Sequence, residues 1–158
     1  MTDALPGFIG GLLSGIVGGY FVARTQTSYQ LRAAATIEVR KLAIEASQAF
    51  HNWIMRPAYT RGPGDYHGGG EVGAKIDALG LSYRTQAEWF DDNARESLER
   101  IVHGFRAHYV SHMEACSTKD LRKEQHETAY AAEEWLNAEL PRLMEEVRAL
   151  PWWQHIFR

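Results

Sequence analysis

Twenty consecutive residues without a charge, ALPGFIGGLLSGIVGGYFVA from Ala4 to Ala23, stand near the start of the chain between Asp3 and Arg24. A hydrocarbon layer of about 30 Å, crossed at about 1.5 Å per residue, needs roughly 20 apolar residues. The run has that length. A buried helix in a small domain shows one polar stripe, whereas no face here carries charge. Leu5, Phe8, Ile9, Leu12, Leu13, Ile16, Val17, Phe21 and Val22 together favour insertion by roughly 3 to 5 kcal/mol. A secretory signal has positive charge ahead of its apolar run and a cleavage site behind it. Here the amino end reads MTD, and Arg24, Arg32, Arg40 and Lys41 all follow the run. The sequence therefore predicts a retained single-pass helix over 4–23. The charge bias places residues 1–3 outside and 24–158 on the cytoplasmic side of a bacterial-type inner membrane.

Gly7, Gly11, Gly15 and Gly19 recur at every fourth position, with Gly10, Ser14 and Gly18 as a second row of small residues. Residues four apart share a helix face, so one side is nearly bare backbone. In lipid, where apolar helices gain nothing by hiding from water, such small-xxx-small faces allow close van der Waals contact between helices. These seven positions are the expected helix-packing face, and the expected partners are membrane lipids and other transmembrane helices, of this chain or of a host complex.

A net charge of -3 gives no general affinity for nucleic acid. The single cysteine, Cys116, cannot form an internal disulfide, which agrees with a reducing compartment. No second apolar run has spanning length.

Beyond the run, Ser28 to Met55 contains no proline or glycine, and Leu31, Ala35, Leu42, Ala46, Ala49, Phe50 and Trp53 approximate one helical stripe. TQTS at 25–28 reads either as a hinge or as part of one unbroken helix. Pro57 to Lys75 is dense in glycine and proline and reads as a long loop, with a short helical turn hinted at by Val72, Ile76 and Leu79. Thr85 with Glu88 forms a capping-box pattern that opens a helix over about 86–115. Its apolar positions include Trp89, Phe90, Leu98, Ile101, Val102, Phe105, Tyr109 and Met113. After a tight connection at 117–120, a further helix over about 119–149 carries Leu121, Ala132, Trp135, Leu136, Leu143 and Val147 on one side. The expected fold is all-α: the anchor, then an antiparallel bundle of three long helices over 24–158, with a short extra helix as the alternative fourth.

Three long helices imply that the second returns toward the membrane, so its connection to the third should lie near the headgroups. Arg106, Lys119, Arg122 and Lys123 near that connection, with Arg24 and Arg32 after the run, are the expected membrane-surface residues. A basic side chain beside an anionic leaflet contributes about 1 kcal/mol. On this topology the tail LPWWQHIFR is distal to the bilayer, and Trp152, Trp153 and Phe157 are its expected partner-binding residues.

Several fragments imitate catalytic motifs. GGGEVGAK at 68–75 resembles a phosphate-binding loop in composition, but Ala74 separates Gly73 from Lys75, Ile76 stands where a Ser or Thr would hold magnesium, and no strand precedes it. HGGG at 67–70 lacks any accompanying G-x-S-x-G nucleophile elbow. His108 and His112 stand one helical turn apart, as metal ligands do, yet Tyr109 occupies the place of the zincin glutamate and no third ligand has the spacing. The sequence thus gives no catalytic, cofactor or metal residue. It points to a membrane-anchored interaction protein, an accessory or regulatory subunit of a membrane assembly. The alternative is a self-associating, membrane-perturbing effector under control of the bundle.

Overall fold

A computed structural model of the chain describes residues 4–55, 68–117 and 121–147, with side chains described from Gly18 onward except at 117, 121 and 122. The described part is all-helical: α1 (Ala4–Ile54), α2 (Gly69–Gln86), a 3-10 turn at Ala87–Trp89, α3 (Asp92–Ser117) and α4 (Leu121–Glu146). Among the described residues no helix is long and apolar enough to cross a membrane. The side chains of residues 4–17, which make up most of the glycine-rich run, lie outside what is described.

Helix α1 passes through TQTS without interruption. The hydroxyls of Thr25 and Thr27 donate to the carbonyls of Phe21 and Ala23, each at 2.8 Å, so these polar side chains are satisfied within the helix and form no hinge. Among the described side chains the first buried apolar residue of α1 is Ala35, and from there Val39, Ala43, Ala46, Phe50 and Trp53 follow at intervals of three or four as its core stripe. Leu31, assigned to that stripe by its spacing, is 47% exposed because it lies before the bundle begins.

The Gly/Pro loop expected over 57–75 ends earlier than its composition implies. Residues 69–75 already belong to α2, an 18-residue helix rather than a turn. Gly68, at φ 96°, takes the left-handed conformation that starts it. Val72, Ile76 and Leu79 are buried as its core face. The capping box is also corrected: Thr85 sits in the last turn of α2, where its hydroxyl donates back to the Leu81 and Ser82 carbonyls at 3.1 and 3.0 Å. Asp91 caps α3 instead, its carboxylate accepting from the Ala94 N–H at 2.8 Å. Arg95 holds the link closed by donating to the carbonyls of Ala87 and Phe90 at 2.9 and 3.0 Å.

Four helices alternate in direction. Trp53 meets His112 and His112 meets Thr128, which places the end of α1, the end of α3 and the start of α4 at one pole. At the other, Ser82 donates to Glu38 at 3.2 Å, Ser97 hydrogen-bonds Glu146, and Arg40 donates to the Val147 carbonyl at 3.4 Å. The three-helix topology expected from the sequence is thereby inverted. The end of α3 and the start of α4 lie at the pole away from the glycine-rich run, and α4 ends at the pole from which α1 projects.

Aromatic rings tie the helices together. Phe50 stacks on Trp53 at 5.9 Å and meets Phe105 at 6.3 Å, and Phe105 meets Trp135 edge-on at 5.0 Å. Such pairs contribute about 0.5–1.5 kcal/mol each beyond the area they bury. The Trp135 indole lies on the bare backbone of Gly104, where a Cβ would stand 2.3 Å from its Cζ2. Gly104→Ala is therefore expected to lower stability. Overpacking costs about 1–3 kcal/mol while helix propensity returns at most about 1. Urea denaturation should show a lower midpoint for Gly104→Ala and an unchanged or raised one for Gly70→Ala, where a Cβ meets nothing within 4 Å.

Candidate functional site

The residues singled out by sequence do not converge on one site; the structure distributes them over three regions. The first is the projecting part of α1. From Gly18 to Ala34 no side chain is buried. A Cβ added at Gly18 or Gly19 would meet nothing within 4 Å, and the neighbouring Tyr20, Phe21 and Val22 are 62%, 62% and 66% exposed. Apolar side chains and open glycine surface thus stand together with no partner among the described residues. Gly7, Gly10, Gly11, Ser14 and Gly15 belong to the same helix, but their side-chain surroundings lie outside the described residues. Arg24 is exposed and Arg32 half-buried just beyond.

The second region is the far pole, where α3 ends and α4 begins. The basic residues expected at the membrane surface stand at different heights along the bundle. Lys123 is at this pole, beside Glu127 at 3.9 Å. Arg106 is midway along the bundle, bound to Asp77 on α2 at 3.1 Å. Lys119 and the side chain of Arg122 lie outside the described residues.

The two histidines here face different neighbours although one turn apart. His112 is 1% exposed, with its ring edge-on to Trp53 at 4.7 Å between centroids. Its Nδ1 stands 2.9 Å from the Thr128 hydroxyl. That hydroxyl donates to the Glu124 and Gln125 carbonyls, so its oxygen accepts from the His112 Nδ1–H. His108 is half-buried against the Trp135 ring at 5.4 Å. Among the described residues no group of three or more His, Cys, Asp and Glu side chains could hold a metal ion.

The third region, overlooked in the sequence, is a hollow between α2 and α3 lined by Gly80, Tyr83 and Arg84 from one helix and Glu99, Val102, His103 and Arg106 from the other. The α3 residues carry an i, i+3, i+4, i+7 spacing that is legible in the sequence. Their partners are not legible while the preceding segment is read as loop. The tail residues Trp152, Trp153 and Phe157 lie outside the described residues. Compared with models of known families, with characterised proteins and with solved structures, the chain matches none.

Burial holds the His108 imidazole below its usual range, against a weaker opposing pull from Glu139. The unfolded chain then binds the proton first as pH falls through about 6.5, so stability is full above that value and declines below it. Between pH 7.5 and pH 5.5 the urea midpoint is expected to fall less for His108→Gln than for the natural chain, at matched ionic strength.

Proposed function

We propose that the chain is a single-pass membrane protein whose amino-terminal helix both anchors it and packs against other helices, while its bundle serves as an interaction module of a larger membrane assembly. The observation that carries this reading is the unpartnered segment of α1. It has uncharged sequence from Ala4 to Ala23, exposed Tyr20, Phe21 and Val22, and open space at Gly18 and Gly19, all on one helix continuous with the folded body. A contiguous apolar surface of this kind marks a membrane or protein interface. Lipid covers the bulky side chains in this proposal, and a second helix covers the glycine row.

Tyr20 and Arg24 suit the edge of the hydrocarbon layer, where aromatic rings and the guanidinium of a snorkelling arginine reach the headgroups. The excess of basic residues after the run favours a cytoplasmic bundle. Residues 24–34 then form a helical stalk of about 16 Å between bilayer and bundle. The second reading, a self-associating effector that perturbs the bilayer, draws on the same open Gly18–Gly19 surface, since identical helices pack well through small residues. A single span whose one polar side chain is Ser14 offers little lining for a water-filled pore.

Two substitutions separate anchoring from packing. Leu13→Arg with Ile16→Arg adds about 2.5–3.5 kcal/mol of insertion cost per arginine, exceeding the roughly 3 to 5 kcal/mol that drives insertion. Alkaline carbonate should then release the variant from membranes that retain the natural chain; equal retention would remove the anchor. Gly11→Leu with Gly15→Leu should leave the chain in the membrane fraction and abolish its detergent-resistant association, because leucine favours insertion but holds the partner helix away. Orientation is best read from Tyr130→Cys in a Cys116→Ser background, since Tyr130 is 64% exposed and Cys116 is buried. An impermeant thiol reagent should label that cysteine only after the cells are opened.

A further inference from the structure

The hollow between α2 and α3 has a floor without charge and a rim of unspent donors. Its floor is Gly80 and Val102: a Cβ on Gly80 would stand 3.5 Å from Val102 Cγ1 and 3.6 Å from Arg106 Nη2, so the missing side chain keeps the space open. The volume is about 230 Å³, below the roughly 300–1,000 Å³ of sites for drug-sized ligands. That suits a small polar molecule rather than a nucleotide.

The rim is unevenly committed. Tyr83 donates its hydroxyl to Glu99 Oε1 at 3.0 Å, so each occupies the other. Arg84 donates through Nε to the Gly80 carbonyl at 3.1 Å, which lays the side chain along α2 and leaves both terminal amino groups without a partner among the described residues. Arg106 uses one amino group on Asp77 at 3.1 Å. His103 is exposed, and its ring nitrogens have no hydrogen-bond partner among the described residues. Arg84 and Arg106 thus share the lining with one carboxylate, Glu99, while Asp77 holds a single amino group of Arg106 from outside it.

The geometry points to a binding site for a small phosphomonoester. Its dianionic head lies between Arg84 and Arg106, with His103 as a third donor. Guanidinium groups match phosphate oxygens with paired N–H bonds, and three terminal oxygens serve three separate donors where a carboxylate offers two. The organic part rests on Gly80 and Val102, and a hydroxyl on it reaches the unoccupied oxygen of Glu99.

A lipid headgroup and a soluble molecule both carry this chemistry. The Ser82–Glu38 contact sets the hollow level with Glu38, 14 residues beyond Arg24, or about 21 Å along α1. The headgroup layer extends only about 5–8 Å beyond the hydrocarbon. On the anchored reading proposed above, the hollow stands clear of the headgroups, so the ligand is soluble.

The full chain in detergent micelles, titrated with glycerol 3-phosphate, should give saturable one-to-one heat. Arg84→Gln should weaken binding at least about tenfold, as expected for loss of a charge-assisted pair. Gly80→Leu should abolish it. Arg100→Gln, on the α4 side of α3 and paired with Glu139, should leave it unchanged. Circular dichroism and the thermal midpoint establish that each variant is folded. No saturable heat at millimolar probe, or equal affinity in Arg84→Gln, overturns the proposal. So does binding seen only when the chain is reconstituted in phosphatidylcholine vesicles containing phosphatidic acid, with no response to the soluble probe. Carbonate retention of the same variants reads the anchor separately, so failure of the site and failure of the anchor are distinguishable.

Discussion

A helix of 51 residues cannot be covered along its whole length by partners of 18, 26 and 26. At about 1.5 Å per residue, α1 is about 77 Å long while α3 and α4 reach about 39 Å. The mismatch decides where everything else sits. The bundle gathers on one half of α1, and among the described residues no side chain from Gly18 to Ala34 is buried. The sequence divides at the same place, since the uncharged residues end at Ala23 and the first buried core residue is Ala35. Between them, Thr25 and Thr27 use their hydroxyls on the helix's own carbonyls, which keeps the connection helical without packing support.

Glycine does two different jobs in this chain. In the bundle it admits aromatic side chains to backbone: Gly104 receives Trp135, and Gly69 lies against Trp53. Each such position sacrifices about 1 kcal/mol of helix propensity relative to alanine, and ring contacts and close packing offset it. At Gly18 and Gly19 no such contact exists among the described residues. Both therefore give up helix propensity with no compensating contact among the described residues.

Ala35, Ala46, Phe50 and Trp53 of the α1 stripe and the core positions Leu98, Ile101 and Phe105 were legible from their spacing, whereas Val39 and Ala43 are buried and the expected Leu42 and Ala49 are only half-buried. Helix α2 was not legible. It begins GGEVG, and glycine carries no hydrophobic periodicity and a poor intrinsic preference for helix, so local signals argued for loop while contacts with Trp53 and Tyr109 held it helical. Thr85 and Glu88 imitated a helix start because a three-residue spacing also occurs at a helix end, where the hydroxyl bonds backward. Reading that segment as a turn, with a short fourth helix only as the alternative, reverses the direction of the two helices that follow and places Lys123 at the opposite pole. The α3 half of the hollow was present in the sequence as Glu99, Val102, His103 and Arg106, but a groove needs two walls, and the second belonged to the missed helix.

An even number of alternating helices also fixes how the folded body carries load. Helix α1 enters the bundle at the pole where the chain leaves α4 at Val147, whose carbonyl is held by Arg40. Tension between α1 and the chain beyond Val147 therefore acts at one end of the bundle, across neighbouring helices, and not along its full length. Contacts load one turn at a time, beginning with Arg40–Val147 and the Ser97–Glu146 hydrogen bond, so α4 peels rather than shears. A body suspended this way yields to a small pull at that pole while its far pole, with Trp53, His112 and Thr128, stays packed.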